Sequence, residues 1–133
     1  MKTLLMIGLG SALGGMGRYG ISHWMAVRFG DQFPWGTVTV NVVGSFMIGL
    51  FFTLTTNDGR LLVDTAWRQA VLVGFCGGFT TFSTFSFQVM QQLRNNEWLG
   101  AGWNIGLSLI LCLIAVFGGA ALGRWINLGG WTS

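Results

Sequence analysis

Four apolar stretches, at about 3–27, 35–56, 67–93 and 98–127 and parted by short polar runs, constrain this chain more than any other feature. Each is long enough to cross a bilayer core as a helix, which takes about 20 residues at 1.5 Å apiece. Lipid offers no partner for backbone N–H and C=O groups, so a segment with this pattern crosses as a helix. Charged residues make up only 8% of the chain and hydrophobic ones 52%, against about 25% charged in an ordinary soluble domain. The sequence therefore predicts an all-α membrane protein, one four-span domain over 1–133, with any activity inside the bilayer.

The boundaries have local reasons. Asp31-Gln32-Phe33-Pro34, Asn57-Asp58-Gly59-Arg60 and Arg94-Asn95-Asn96-Glu97 are polar turns, and Pro34 suits the entry to a helix. Trp24, Trp35, Trp67, Trp98, Trp125 and Trp131 fall at expected ends, where amphipathic rings belong, and Trp103 lies one turn inside. Segment one has Lys2 in front and small residues within, as a signal peptide would. Its apolar pattern runs on past Arg18 to Trp24 with no soluble domain after it, so it is read as a span. Its glycines, from Gly8 to Gly20, give a smooth face for close helix packing. Both termini fall on one side with Lys2, Arg60, Arg68 and Arg124, against Arg28 and Arg94 on the other. So weak a positive-inside bias is compatible with insertion in either direction and with a head-to-tail pair of copies.

The composition also excludes functions. The net charge of +3 comes from basic residues scattered singly between Lys2 and Arg124, which form no nucleic-acid-binding patch. Cys76 and Cys112 lie inside apolar segments without metal-like spacing and read as packing residues. His23 has no carboxylate or cysteine beside it in sequence and reads as an interfacial residue.

Within segment three, Gly74 to Phe87 reads Gly-Phe-Cys-Gly-Gly-Phe-Thr-Thr-Phe-Ser-Thr-Phe-Ser-Phe. Glycine weakens a helix by roughly 1 kcal/mol relative to alanine, and hydroxyls offer the backbone competing partners. A break is predicted near Gly77 to Thr81. The freed backbone groups need protein, water or an ion to satisfy them.

Four polar features lie at membrane depth: Arg18, Asn41, the hydroxyl cluster of segment three, and Asn104 with Ser108. None is acidic, and Arg18 is the only fixed charge, so an aqueous path beside it favours anions. Arg18 serves equally as a contact to backbone carbonyls or as a snorkelling side chain. Asn41 shares a helix face with Thr37 and serves either an interhelical hydrogen bond or a pore. Phe79, Phe82 and Phe85 recur every three residues. Their positive ring edges suit a small anion, and the alternative is a packing seam. Asn104 and Ser108 start a strip that turns apolar at Cys112 and Val116, suiting helix contacts or one end of a path.

Gly77-Gly78-Phe79-Thr80-Thr81-Phe82-Ser83-Thr84-Phe85-Ser86, with Gly36-Thr37, Asn41 and Arg18-Tyr19 in order before it, closely resembles the Fluc (CrcB) family of fluoride channels. That resemblance implies two four-helix subunits, each broken in the third helix, in an antiparallel dual-topology homodimer in the bacterial inner membrane. It implies a structural Na⁺ on the two-fold axis, held by backbone carbonyls at Gly77 and Thr80. The pore it implies uses Phe82, Phe85 and Asn41, with Ser83, Thr84, Thr37, Asn104 and Ser108 as further lining and Arg18 as an electrostatic element. No reaction is catalysed; fluoride leaves passively down its gradient, which lowers internal fluoride.

Three positions depart from the family pattern: Gln88 stands where many relatives have glutamate, and Cys112 and Val116 interrupt a hydroxyl track. The rival readings are a small dual-topology multidrug-type transporter and a non-transporting membrane assembly subunit. The transporter needs an intramembrane carboxylate, and Asp31, Asp58, Asp64 and Glu97 all fall in expected loops.

Overall fold

The computed structural model describes residues 1–56 and 58–129; Asn57 of the second polar turn, Gly130 and Trp131 lie outside the described residues. The regular elements among them are all helical: α1 (Lys2–Phe29), α2 (Trp35–Leu54), α3 (Thr65–Gln69), a π-helical segment (Ala70–Cys76), α4 (Gly77–Phe79), α5 (Phe82–Arg94) and α6 (Trp98–Asn127). Three stretches are long and apolar enough to cross a membrane: Trp35–Leu54, Thr65–Arg94 and Trp98–Asn127. α1 has the length for a span at 28 residues, but its glycines and Arg18 dilute its apolar character. The protein is an all-α membrane protein.

Small residues decide which helices meet. Gly49 of α2 lies against Val116 and Ala120 of α6, Gly119 of α6 against Phe46 and Leu50 of α2, and Gly123, one turn further on, against Leu50 and Thr53, so the two run in the same direction. α1 runs likewise beside the third segment, Gly14 against Phe75 and Phe79, and Gly74 against Ile7 and Gly10. At Gly14, Gly49 and Gly119 a Cβ would collide with a backbone carbonyl of the neighbouring helix. Gly119→Ile is therefore expected to cost about 1–3 kcal/mol or more through overpacking, read as a lower melting temperature in detergent. Gly118→Ala, whose Cβ meets nothing within 4 Å, is expected to stay within about 0.5 kcal/mol.

At one end of the bundle Lys2 Nζ lies 3.8 Å from Asp64 Oδ2. There Asn127 accepts the Arg60 N–H through Oδ1 and donates to the Thr53 carbonyl through Nδ2, each at 3.0 Å. The start of α1, the connection after α2 and the end of α6 thus share one side. Arg68 on α3 donates to Thr55 Oγ1 at 3.1 Å and lies 4.9 Å over the Phe52 ring, fastening α3 to the end of α2.

The third segment differs in detail from its sequence reading. It starts at Thr65, two residues before Trp67, and carries a π-helical turn that no residue pattern announces. Helical backbone then stops at Thr80 (φ −86°, ψ 159°) and Thr81 (φ −154°, ψ 109°), which are extended. These two residues break the helical phase, so Phe79 does not share a face with Phe82 and Phe85. It is buried and stacks on Phe75 at 5.7 Å, whereas Phe82 and Phe85 pair with each other at 5.4 Å.

Candidate functional site

Thr81 is the hub of the interruption. Its Oγ1 accepts the Thr84 N–H at 3.1 Å, capping α5, and donates to Thr84 Oγ1 at 2.9 Å. Ser83 Oγ lies 3.3 Å from the same hydroxyl. Its backbone is matched by a single side chain across the bundle: Asn41 Oδ1 accepts the Thr81 N–H at 2.7 Å and Asn41 Nδ2 donates to the Thr81 carbonyl at 3.1 Å. The primary amide presents one donor and one acceptor to an extended residue, much as a neighbouring strand would. On the Thr80 side, the hydroxyl turns back to the Cys76 carbonyl at 2.9 Å. Gly44, almost one turn after Asn41, makes room for the methyl of Thr80.

Beside this clasp lies an open groove of about 250 Å³, lined among others by Asn41, Thr80, Thr81, Phe82, Phe85, Ser108 and Cys112. Phe82 is 74% exposed along it and Phe85 only 8%. A wider cavity of about 440 Å³ sits at the opposite end from Lys2 and Asn127, among Ser22, the α1–α2 connection, Thr37, Gln88, Gln92 and Glu97. Buried side chains run between the two cavities. Ser108 donates to Asn104 Oδ1 at 3.3 Å and Asn104 Nδ2 donates to Gln92 Oε1 at 3.1 Å, all three less than 9% exposed.

The structure thus brings Asn41, Phe82, Phe85 and Ser108 to one groove and puts Thr37 in the wider cavity, with Asn104 buried between them. Ser83 and Thr84 gather around Thr81 and are not among the groove's lining. Arg18 is half-buried on α1 and makes no ion pair among the described residues. Gly77 is exposed beside the interruption, with nothing within 4 Å of where its Cβ would be. Cys112 lines the groove, whereas Val116 packs its backbone on Gly49.

Two residues of this arrangement escaped the sequence reading. Thr81 was one hydroxyl among several there, although a threonine followed three residues later by another polar residue, ahead of an apolar run, is a recognisable helix start. Gln92 carried no signal beyond standing one turn after Gln88.

Apolar helices with a buried, uncharged row of one hydroxyl and two amides between two cavities define a membrane protein with polar groups in its interior. The chain belongs to the CrcB-like family: the family model described as "CrcB-like protein, Camphor Resistance (CrcB)" matches residues 5–120. It is 52% identical over 125 residues to a "Fluoride-specific ion channel FluC" of Opitutus terrae, covering 92% of this chain and 95% of the relative. Proteins of the same description from Paramagnetospirillum magneticum (47% over 127 residues, 96% and 99% covered) and Methylocella silvestris (48% over 123 residues, 92% and 94% covered) are similarly related.

Proposed function

We infer that the protein is a fluoride-specific channel of the bacterial plasma membrane, passing fluoride down its electrochemical gradient without catalysis and so lowering internal fluoride. The observation that carries this reading is a groove that gathers Asn41, Phe82, Phe85 and Ser108 in a chain so closely related to fluoride channels. Fluoride is small, strongly hydrated and a strong hydrogen-bond acceptor. Asn41 gives one N–H to Thr81 and keeps its second for the groove. Ring edges carry the positive end of the aromatic quadrupole and line the narrow part. Ser83 and Thr84 hold the start of α5 and contribute through it, while Thr37 lines the wider mouth and Arg18 adds a positive field on the α1 side. The multidrug-type alternative lacks its proton carrier, since all four carboxylates stand outside or at the ends of helices.

The working form in this proposal is an antiparallel, dual-topology homodimer embedded in lipid. Each subunit is a single domain, 1–133, of four spans with the third broken at Thr80 and Thr81. Exposed Gly77 and Phe82 flank the interruption and leave room for a second subunit. A structural Na⁺ fits the donors present. In a continuous helix the Gly77 carbonyl would take the Thr81 N–H and the Thr80 carbonyl the Thr84 N–H, but those donors go to Asn41 Oδ1 and Thr81 Oγ1. Two such carbonyls from each of two subunits make an all-oxygen set for a hard cation. Na⁺ would supply charge that ties the two breaks together, and the chain's own part is to present the carbonyls.

Liposomes loaded with fluoride or chloride and read with ion-selective electrodes test this. Rapid fluoride release without chloride release is expected, slower when the protein has been purified and reconstituted without Na⁺. Equal release of both ions would sink the selectivity, unchanged release without Na⁺ the role of sodium, and a monomer mass by light scattering the paired assembly.

A further inference from the structure

The row from Ser108 to Gln92 has a direction. Ser108 gives its hydrogen to Asn104, Asn104 gives one to Gln92 Oε1, and at the end Gln92 Nε2 is buried with no partner. Donors aligned head to tail polarise one another, so the last N–H is a stronger donor than an isolated amide. An orphaned donor in the interior costs about 1–3 kcal/mol, and a 93% buried glutamine (7% exposed) that ends such a row calls for an acceptor. Gln92 is among the residues that line the wide cavity, and Gly100 of α6 stands next to its amide: a Cβ there would lie 3.4 Å from Nε2. One turn earlier on α5, Gln88 Oε1 is also buried without a partner, and Gln88 lines the same cavity. A lone donor beside a lone acceptor matches a small anion that keeps one water: the ion takes the Gln92 N–H, and the water donates to Gln88.

We propose that Gln92 Nε2, at the end of the Ser108–Asn104 donor row, is a fluoride contact in the wide cavity where the ion exchanges water for protein before entering the buried path. This rests on the fluoride-channel reading and deepens it, giving the cavity a binding step of its own. Chloride, a weaker acceptor, gains less from one strong N–H, so the site adds to selectivity before the aromatic rings are reached.

Gln92→Glu is the discriminating substitution. It keeps the Oε1 acceptor that holds Asn104 and replaces the free N–H by an acceptor. In the liposome assay at pH 7.5, fluoride release is expected to slow at least tenfold, with a weaker dependence on fluoride concentration, while the protein elutes and melts as the wild type does. Gln92→Met, which carries no charge, is expected to slow release severalfold, and Gln91→Glu, a charge on an exposed neighbour, to stay within threefold. Wild-type release from both Gln92 variants overturns the proposal. So does equal slowing by Gln91→Glu, which would assign the effect to charge in the cavity. A Gln92→Glu protein that is slow and also unstable, with a stable Gln92→Met protein at the wild-type rate, overturns it in favour of a structural role. Wild-type protein that releases no fluoride overturns the channel reading itself, an outcome visible before any variant is compared.

Discussion

Asn41→Leu is expected to abolish fluoride release and to lower the melting temperature of the detergent-solubilised protein, the two losses arising from the same pair of hydrogen bonds. Leucine has nearly the shape of asparagine but leaves the Thr81 N–H and C=O, now held at 2.7 and 3.1 Å, without partners. At roughly 1–3 kcal/mol for each orphaned backbone group the cost is about 2–6 kcal/mol, a large fraction of the stability of a small protein. The interruption would then close toward continuous helix, withdrawing Thr81 from the cap of α5 and turning Phe82 away from Phe85. Asn41→Asp separates the two roles. It keeps an acceptor for the Thr81 N–H, so part of the stability survives, but it sets a carboxylate against the Thr81 carbonyl and in the path of an anion. Release is expected to fall at least 100-fold with a smaller drop in melting temperature. An Asn41→Leu protein that melts as the wild type does would mean that the extended residues are held by something other than this clasp.

The clasp also marks where sequence reasoning reaches its limit. Gly77, Gly78 and the run of hydroxyls carry local costs for a helix, so the neighbourhood of Thr80 and Thr81 was legible. The partner was not, because Asn41 stands 40 positions away and an amide at mid-span serves a pore and a structural bond equally well. Helix ends were legible to within a few residues, since the single proline, the polar turns and the tryptophans are local signals. The π-helical turn at Ala70–Cys76 was not: it follows the third segment's close approach to α1 through Gly10 and Gly14, a tertiary constraint. Phe79 teaches the same lesson. A spacing of three places it with Phe82 and Phe85 only while the helix is continuous, and two extended residues send it to Phe75. In α6, Asn104 and Ser108 were legible as a polar strip, but Gln92, which completes it, belongs to a different helix and to no motif.

Phe82 and Phe85 are neighbours with opposite energetics, and that contrast yields the other large effect. Phe85 is buried at 8% exposure, so Phe85→Ala removes a packed ring and is expected to cost about 3–5 kcal/mol. Any loss of transport in that variant follows in part from lost packing. Phe82 is 74% exposed, its ring tilted 47° to that of Phe85, and within the subunit it supports almost nothing. Phe82→Ile should therefore leave the melting temperature nearly unchanged, within about 0.5 kcal/mol, while fluoride release falls at least 100-fold. At 1.36 kcal/mol per tenfold that is about 2.7 kcal/mol of barrier, more than the 0.5–1.5 kcal/mol typical of one aromatic pair beyond its buried area. So large a loss would mean that the ring edge meets the ion itself rather than merely its neighbour. Isoleucine is apolar and of similar bulk, so what it removes is the quadrupole and the flat edge. Release at the wild-type rate from a folded Phe82→Ile protein would take the ring out of the path and leave Asn41 and the donor row to account for selectivity.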